Sequence, residues 1–426
     1  MSSNPGSSTT RGKITAVAVG VMALAVVVAL LGGLALLRSS PSVNKRSFDY
    51  VASYLGQSSP PDVRSIACPS AGDCSISGNY YDSYQTWLPF VASESHGVWS
   101  APKTFNQLAN FQDGEIRAIS CSSPGNCAGS GYVDGPSELF AVSERHYVWL
   151  SPQLTYTNVN DGGFANPNTL VSCAPDGSCT ALYQYSNNTH QWLSEVSARA
   201  GANWSKPRVV ARLNLNFPSQ PQTIRCSRFG DCTLWAAGLN GGQGYRFVER
   251  DGAWSRPTLV NSLMSEALRS ASSGDAGAVV PGCLSPTTCF VWLRTPASKY
   301  YVETVRRGSI VTRQQIDLSR FRYRGHELLP DFVSGVSCTQ RHYCIAAITL
   351  QGYAYGRMRH VTSLPEFMVV ATSTNGRWSL PATLFGNPGR NQTEWISADS
   401  CPRVGACSVA GAYFIGGKSV AFVEQI

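Results

Sequence analysis

The side chains best able to do chemistry in this 426-residue chain are its fourteen cysteines, and all of them fall into Cys-x5-Cys pairs. The pairs are Cys68 and Cys74, Cys121 and Cys127, Cys173 and Cys179, Cys226 and Cys232, Cys283 and Cys289, Cys338 and Cys344, and Cys401 and Cys407. With none left over, the spacing reads as seven disulfides, bonds that persist only in an oxidising compartment. Zinc is the competing chemistry. It calls for ligand pairs two to four residues apart with recurring histidines, and neither is present.

Other reactive residues sort by whether they recur. Glu94, Glu144 and Glu249 each stand five residues before a tryptophan, and Glu303 and Glu424 take matching places in later repeats. Repetition of this kind points to the scaffold, so these carboxylates are expected to solvate a turn. His96 and His146 are expected to be turn residues for the same reason. Two long stretches do not recur: Gln314 to Gly335 and Gln351 to Phe367. The first carries Arg320, Arg322, Tyr323 and Arg324, and the second Tyr353, Tyr355, Arg357 and Arg359. Guanidinium forks beside aromatic faces suit a polyanion or a sugar polymer. The plainer alternatives are solvated insertions or aromatics that plug a channel. For acid/base work the best placed residues are His326, Glu327 and Asp331. Nothing in the sequence calls for a metal or cofactor.

The elements that must position these residues follow from the repeat. First cysteines succeed one another at 53, 52, 53, 57, 55 and 63 residues, a period typical of propellers and solenoids. Apolar residues stand two before the first cysteine at Ile66, Ile119, Val171, Ile224 and Val336, which marks a strand. The Gly-, Pro-, Ser- and Asp-rich residues between the cysteines make a hairpin turn, and a second strand follows. A third strand is rich in aromatic and β-branched residues, for example Leu88 to Glu94 and Leu139 to Glu144. The fourth bears Trp-Ser-x-Pro at Trp99, Trp204, Trp254 and Trp378, with a one-residue slip at Trp149, Ser151 and Pro152. Proline is confined to strand ends and sheet edges, so this strand is expected to be outermost, with its Trp covering the sheet from outside.

Four antiparallel strands repeated seven times predict an all-β fold, a seven-bladed β-propeller; an open β-solenoid is the alternative. The last repeat ends after its third strand, while Ser47 to Leu55 belongs to no repeat. That segment is expected to supply the missing outer strand and lock the ring. The pattern resembles bacterial secreted or membrane-anchored seven-bladed β-propeller ectodomains whose blades carry a Cys-x5-Cys hairpin and a Gly-x-Trp-Ser turn. The resemblance spans residues 62 to 426 and implies architecture, since propellers host enzymes, lectins and scaffolds alike. The nearest approach to the turns of sialidase-like propellers is Asp251-Gly252-Ala253-Trp254, which has the wrong spacing.

Before the repeats, Ile14 to Leu37 runs for 24 residues without a charge, about 36 Å as a helix, enough to cross a bilayer. A cleaved secretory signal has a shorter apolar core and a small-residue cleavage site, so the expectation is one N-terminal transmembrane helix acting as signal anchor. The expected organisation is a cytoplasmic tail (1–13), the anchor (14–37), a linker with the ring-closing strand (38–61) and the propeller (62–426). Flanking charges do not set the orientation, because Arg11 and Lys13 precede the span and Arg38, Lys45 and Arg46 follow it. The disulfides do, placing the propeller outside the cell membrane. A net charge of +8 is mild for this length and argues no nucleic-acid role. Between the insertions and the scaffold, the sequence reads as a single-pass cell-surface protein that binds an envelope polyanion, glycan or protein partner. An envelope glycan-acting enzyme on the same scaffold is the alternative.

Overall fold

The computed structural model describes residues 61–426 apart from 85, 109–111, 135–137, 157–167, 187–189, 199–202, 215–218, 239–243, 261–281, 286–287, 295–299, 307–308, 320, 324–325, 340–342, 356–360, 364–366, 380, 385–393 and 416–417. Seven antiparallel sheets follow one another along the chain, each with its strands in sequence order. The first strand of each sheet lies against the first strands of the sheets on either side: Asp62–Ser70, Gln112–Ser123, Asn168–Cys173, Ser219–Arg228, Gly282–Ser285, His326–Cys338 and Glu394–Arg403. The last of these also packs on the first, so the disc closes as a seven-bladed propeller with these strands innermost. The expected ring-closing segment, Ser47 to Leu55, and the apolar run, Ile14 to Leu37, lie outside the described residues. Among the described residues the seventh sheet has three strands, and no helix is long and apolar enough to cross a membrane.

Each cysteine pair bridges the first two strands, and six of the seven disulfides are formed between described residues. Cys289, opposite Cys283 in the fifth sheet, is also disulfide-bonded. Local backbone chemistry explains the turns. The hairpin leading to the fourth strand has two residues in the left-handed region, His96-Gly97, His146-Tyr147, Asp251-Gly252 and Asn375-Gly376, the two-residue turn that matches strand twist. His96 and His146 are therefore turn residues, as their recurrence implied. This turn sits against the cysteine turn of its own blade: the Gly97 amide donates to the Gly72 carbonyl (2.8 Å) and that of Gly252 to Gly230 (2.9 Å). One face of the disc is thus built from short turns tied to one another. The connections between blades, and those between second and third strands, open on the other.

The fourth strand departs from expectation in two ways. Its tryptophans do not cover the sheets from outside; each is packed between its own blade and the preceding one. Trp99 lies among Ile66 of blade one and Ala398, Ala410 and Ala421 of blade seven, and Trp378 meets Phe290 and Trp292 of blade five edge-on. The indole N–H of Trp149 donates to Ser93 and that of Trp204 to Ser143, each in the blade before. Flat rings fill the wedge that opens between radiating sheets, burial worth on the order of 2–3 kcal/mol per ring. Nor is there a slip at Trp149. Trp149 and Pro152 hold the places of Trp99 and Pro102, and Leu150 stands where the serine belongs.

That serine compensates for the proline break. The Ser100 amide donates to the Ser93 carbonyl, and its hydroxyl accepts from the Ser93 amide, closing the rung that a normal strand would make with its backbone. Ser205, Ser255 and Ser379 repeat both bonds. Leu150 makes only the amide half. Blade five, which lacks the motif, has an uninterrupted fourth strand, Ser309–Ile316.

Candidate functional site

The two non-recurring insertions enter blade six, whose first strands are long. His326–Cys338 pairs with Tyr343–Tyr355, 13 residues each, with Leu328 opposite Gly352. A two-residue strand, Arg322–Tyr323, adds to the start of the first, with Arg322 opposite Glu327 and Tyr323 opposite His326. Val361–Ser363 adds to the end of the second, placing Tyr353 opposite Ser363 and Tyr355 opposite Val361. Backbone pairing thus brings Arg322, Tyr323, Tyr353 and Tyr355 to one end of one sheet, on the side of the disc away from the cysteine turns. Arg320, Arg324, Arg357 and Arg359 lie outside the described residues. His326 and Glu327 occupy consecutive paired positions, which belong to opposite faces of a sheet, and Asp331 falls at a register shift between Pro330 and Phe332. The backbone does not bring those three together.

A second cluster, absent from the sequence reading, lies where blades one and two meet on the same side of the disc. The innermost strands of both blades carry a register shift four residues before the first cysteine, at Arg64 and at Arg117. A bulge re-aims the residue it frees from pairing. Both guanidinium groups turn onto the carboxylate of Glu115, which is buried: Arg64 Nε lies 3.2 Å from Oε2, and Arg117 Nε bonds Oε1. Arg64 also reaches Asp62 at 2.9 Å, while Arg117 reaches the Tyr132 hydroxyl at 3.2 Å and lies over that ring. Asn79, 5% exposed, extends its Nδ2 toward Glu115 at 3.5 Å. Two buried oxygens here have no hydrogen-bond partner, Oδ1 of Asn79 and Oδ1 of Asp62. Removal from water raises the Asp62 carboxyl above its ordinary range, and Arg64 pulls it back only in part. The sequence signal was an arginine two residues after an acid in both places, Asp62-x-Arg64 and Glu115-x-Arg117, too common a pattern to single out a site.

The recurring glutamates are a correction. Three of the five do not solvate a turn: Glu144, Glu249 and Glu303 are buried, as is Glu195, which the repeat spacing missed, while Glu94 and Glu424 are partly exposed. Glu144 accepts from Ser75 and Ser93 of the preceding blade. Glu195 accepts from the Trp254 indole, and Arg208 reaches both Glu195 and Glu249 at 2.8 Å. Burial, with Glu195 adding repulsion, pushes Glu249 up to about 7 despite Arg208. Glu144, Glu195 and Glu249 tie neighbouring blades together, whereas Glu303 pairs with Arg313 of its own blade. Among the described residues no group of three or more His, Cys, Asp or Glu could hold a metal ion.

No family model matches the chain. No curated protein matches it either. Solved structures with a similar course include the fungal fucose-recognising lectin of Aleuria aurantia, a six-bladed β-propeller, at 14% identity and a TM-score of 0.40 over 77% of this chain and 97% of that one. A subtype N11 neuraminidase-like protein of A/flat-faced bat/Peru/033/2010 aligns at 10% identity and 0.42, covering 74% and 89%. A post-proline cleaving enzyme from Rickettsia typhi aligns at 10% identity and 0.42, covering 91% of this chain and 56% of that one. At these values they bear on neither ligand nor activity. The fold rests on the seven sheets themselves.

Proposed function

We propose that this protein is a membrane-anchored, extracytoplasmic β-propeller that binds an envelope polymer or protein partner through its irregular loop face, with Arg320, Arg322, Tyr323, Arg324, Tyr353, Tyr355, Arg357 and Arg359 as the contact set. The observation that carries the reading is the shape of the sixth sheet. Both insertions extend paired strands at the same end, so residues some thirty positions apart in the chain share one edge of one blade. Strand-borne positions hold contact groups more rigidly than free loops would. The uncharged run from Ile14 to Leu37 and seven cysteine pairs support an anchor with the propeller outside.

The test is capture from a cell-envelope extract by the full chain, at low and then high salt. A polyanion held by guanidinium groups is expected to leave as salt rises. Arg322→Ala with Arg357→Ala is expected to lower retention about tenfold or more with the melting temperature unchanged. Undiminished capture by a folded double variant would remove the sixth blade from the site. Protease protection in intact cells tests the topology: digestion of the propeller from outside is expected, and full protection overturns the anchor orientation.

A further inference from the structure

Along blade four, Ile224, Leu234 and Phe247 pack with Ala174 and Leu182 of blade three. Residues next to them in the strands turn the opposite way, so Thr223, Arg225, Thr233, Trp235 and Arg246 face blade five. The register agrees: Arg225 stands opposite Thr233, Thr223 opposite Trp235, and Trp235 opposite Arg246. No tryptophan enters this wedge from the fourth strand of blade five, which lacks the motif. The ring comes instead from blade four, as the buried Trp235, with the Arg246 guanidinium 5.7 Å from its centroid.

Neither arginine has an ion pair among the described residues. Loss of hydration lowers both guanidinium groups below their ordinary range, and repulsion from Arg250 adds to it at Arg246. Arg208, also desolvated, is lifted back above that range by Glu195 and Glu249. On blade five, Phe290 and Trp292 pack with blade six, so Glu303, which pairs with Val291, faces blade four. It is already answered by Arg313 of its own blade. Two positive charges are thus left unbalanced across the seam. Arg225 is the reachable one: it is open to solvent and still desolvated, which places it in a recess rather than on a convex surface. Its strand is innermost, and the same place on the other six innermost strands holds alanine, glycine or serine, so the recess opens beside the propeller axis. A desolvated cation costs free energy unless an anion meets it.

We propose that the seam between blades four and five binds a small oxyanion, a phosphate or carboxylate group, in the guanidinium fork of Arg225, with Arg246 adding positive field from the same face. The fork presents parallel N–H donors that match two oxygens of either group. A neutral ligand would leave both charges unanswered, and a cation would be repelled by them.

The test is calorimetric titration of the full-length chain with inorganic phosphate, acetate and methyl glucuronide, with methyl glucoside as the neutral control. At least one of the anions is expected to bind with a Kd of about 1 mM or tighter. Phosphate alone would assign the recess to a tetrahedral group and the carboxylates alone to a planar one, and either supports the proposal. Affinity is expected to fall about threefold or more between roughly 0.05 and 0.5 M sodium chloride. Arg225→Met is expected to weaken binding about tenfold or more. Arg225→Lys, which keeps the charge and loses the fork, is expected to weaken it about fivefold and serves should the first variant fail to fold. Arg246→Met, which removes charge without the fork, is expected to cost about threefold. The Arg322/Arg357 double variant is expected to leave binding unchanged, which separates this site from that of blade six. No anion bound at tens of millimolar, equal binding of methyl glucoside, or binding indifferent to both Arg225 variants would each overturn the proposal.

Discussion

Glu195 and Glu249 share the single guanidinium of Arg208, and that imbalance has a pH consequence. Burial, with repulsion from Glu195 added, leaves Glu249 carrying a proton up to about pH 7 despite Arg208. Its ordinary value is 4.5. In the interval between, the folded chain binds a proton that the unfolded chain has released, so stability falls as pH rises and levels off above about 7. Glu94, also raised to about 7 by burial with Asp73 adding to it, acts in the same direction. Thermal melts from about pH 5 to 8 are expected to show a descending melting temperature, and Glu249→Gln is expected to remove part of that slope, on the order of 2 kcal/mol. An unchanged slope would mean that Glu249 is already ionised at pH 5. None of this was legible in the sequence. Five carboxylates at one place in a repeat look alike on paper, and only the neighbouring blade distinguishes a solvated end from a buried tie.

At the scale of the strand, Trp-Ser-x-Pro is a way to keep an outer strand paired across a proline. The serine hydroxyl replaces the carbonyl that the broken strand cannot present. Ser255→Ala is expected to cost about 1 kcal/mol, read from denaturant unfolding, by stranding the Val248 amide. Leu150→Ser is expected to gain about 0.5 kcal/mol or more in blade two by supplying the missing hydroxyl to Ser143. A loss there would show that Leu150, 38% exposed, does more by packing than a hydroxyl can by bonding. Strand order, the cysteine hairpins and the outermost place of this strand were readable because each rests on local rules: turn residues, disulfide spacing and the missing proline N–H. The position of the tryptophan was not, since a ring beside a strand edge can fold outward or sideways. The wedge between radiating sheets decides it. Similarly, the meeting of Arg322 and Tyr323 with Tyr353 and Tyr355 could be anticipated from the pairing of adjacent strands, whereas Arg64 and Arg117 required two bulges that leave no mark in the sequence.

Over the whole molecule the period of the cysteines was enough to give seven blades, because one period is one sheet and a sheet cannot bury its faces alone. Closure is a separate matter. The amide of Cys68 donates to the hydroxyl of Ser400 at 2.8 Å, joining the first and last blades directly. An outer strand drawn from residues 47–55 would add to that seam, and its deletion is expected to lower the melting temperature by about 2 °C or more in a protein of this size. A melt unmoved by the deletion would leave closure to the inner strands alone. The bond at Cys68 recurs: Cys173 leans on Ser120, Cys226 on Ser172 and Cys401 on Ser337. In each case the serine stands just before the preceding blade's first cysteine, and at the other three seams that place is taken by Ala67, Arg225 and Gly282. Among the described residues four seams carry this particular clasp; blades one and two are joined instead by the Ile119 amide on the Ser65 hydroxyl at 3.1 Å, and blades five and six by Gln314, which exchanges two 2.8 Å bonds with the backbone of Trp378. Each seam rests on a few side-chain bonds while each blade is held by full ladders of backbone bonds, so under tension along its plane such a ring would part between blades before any blade tore.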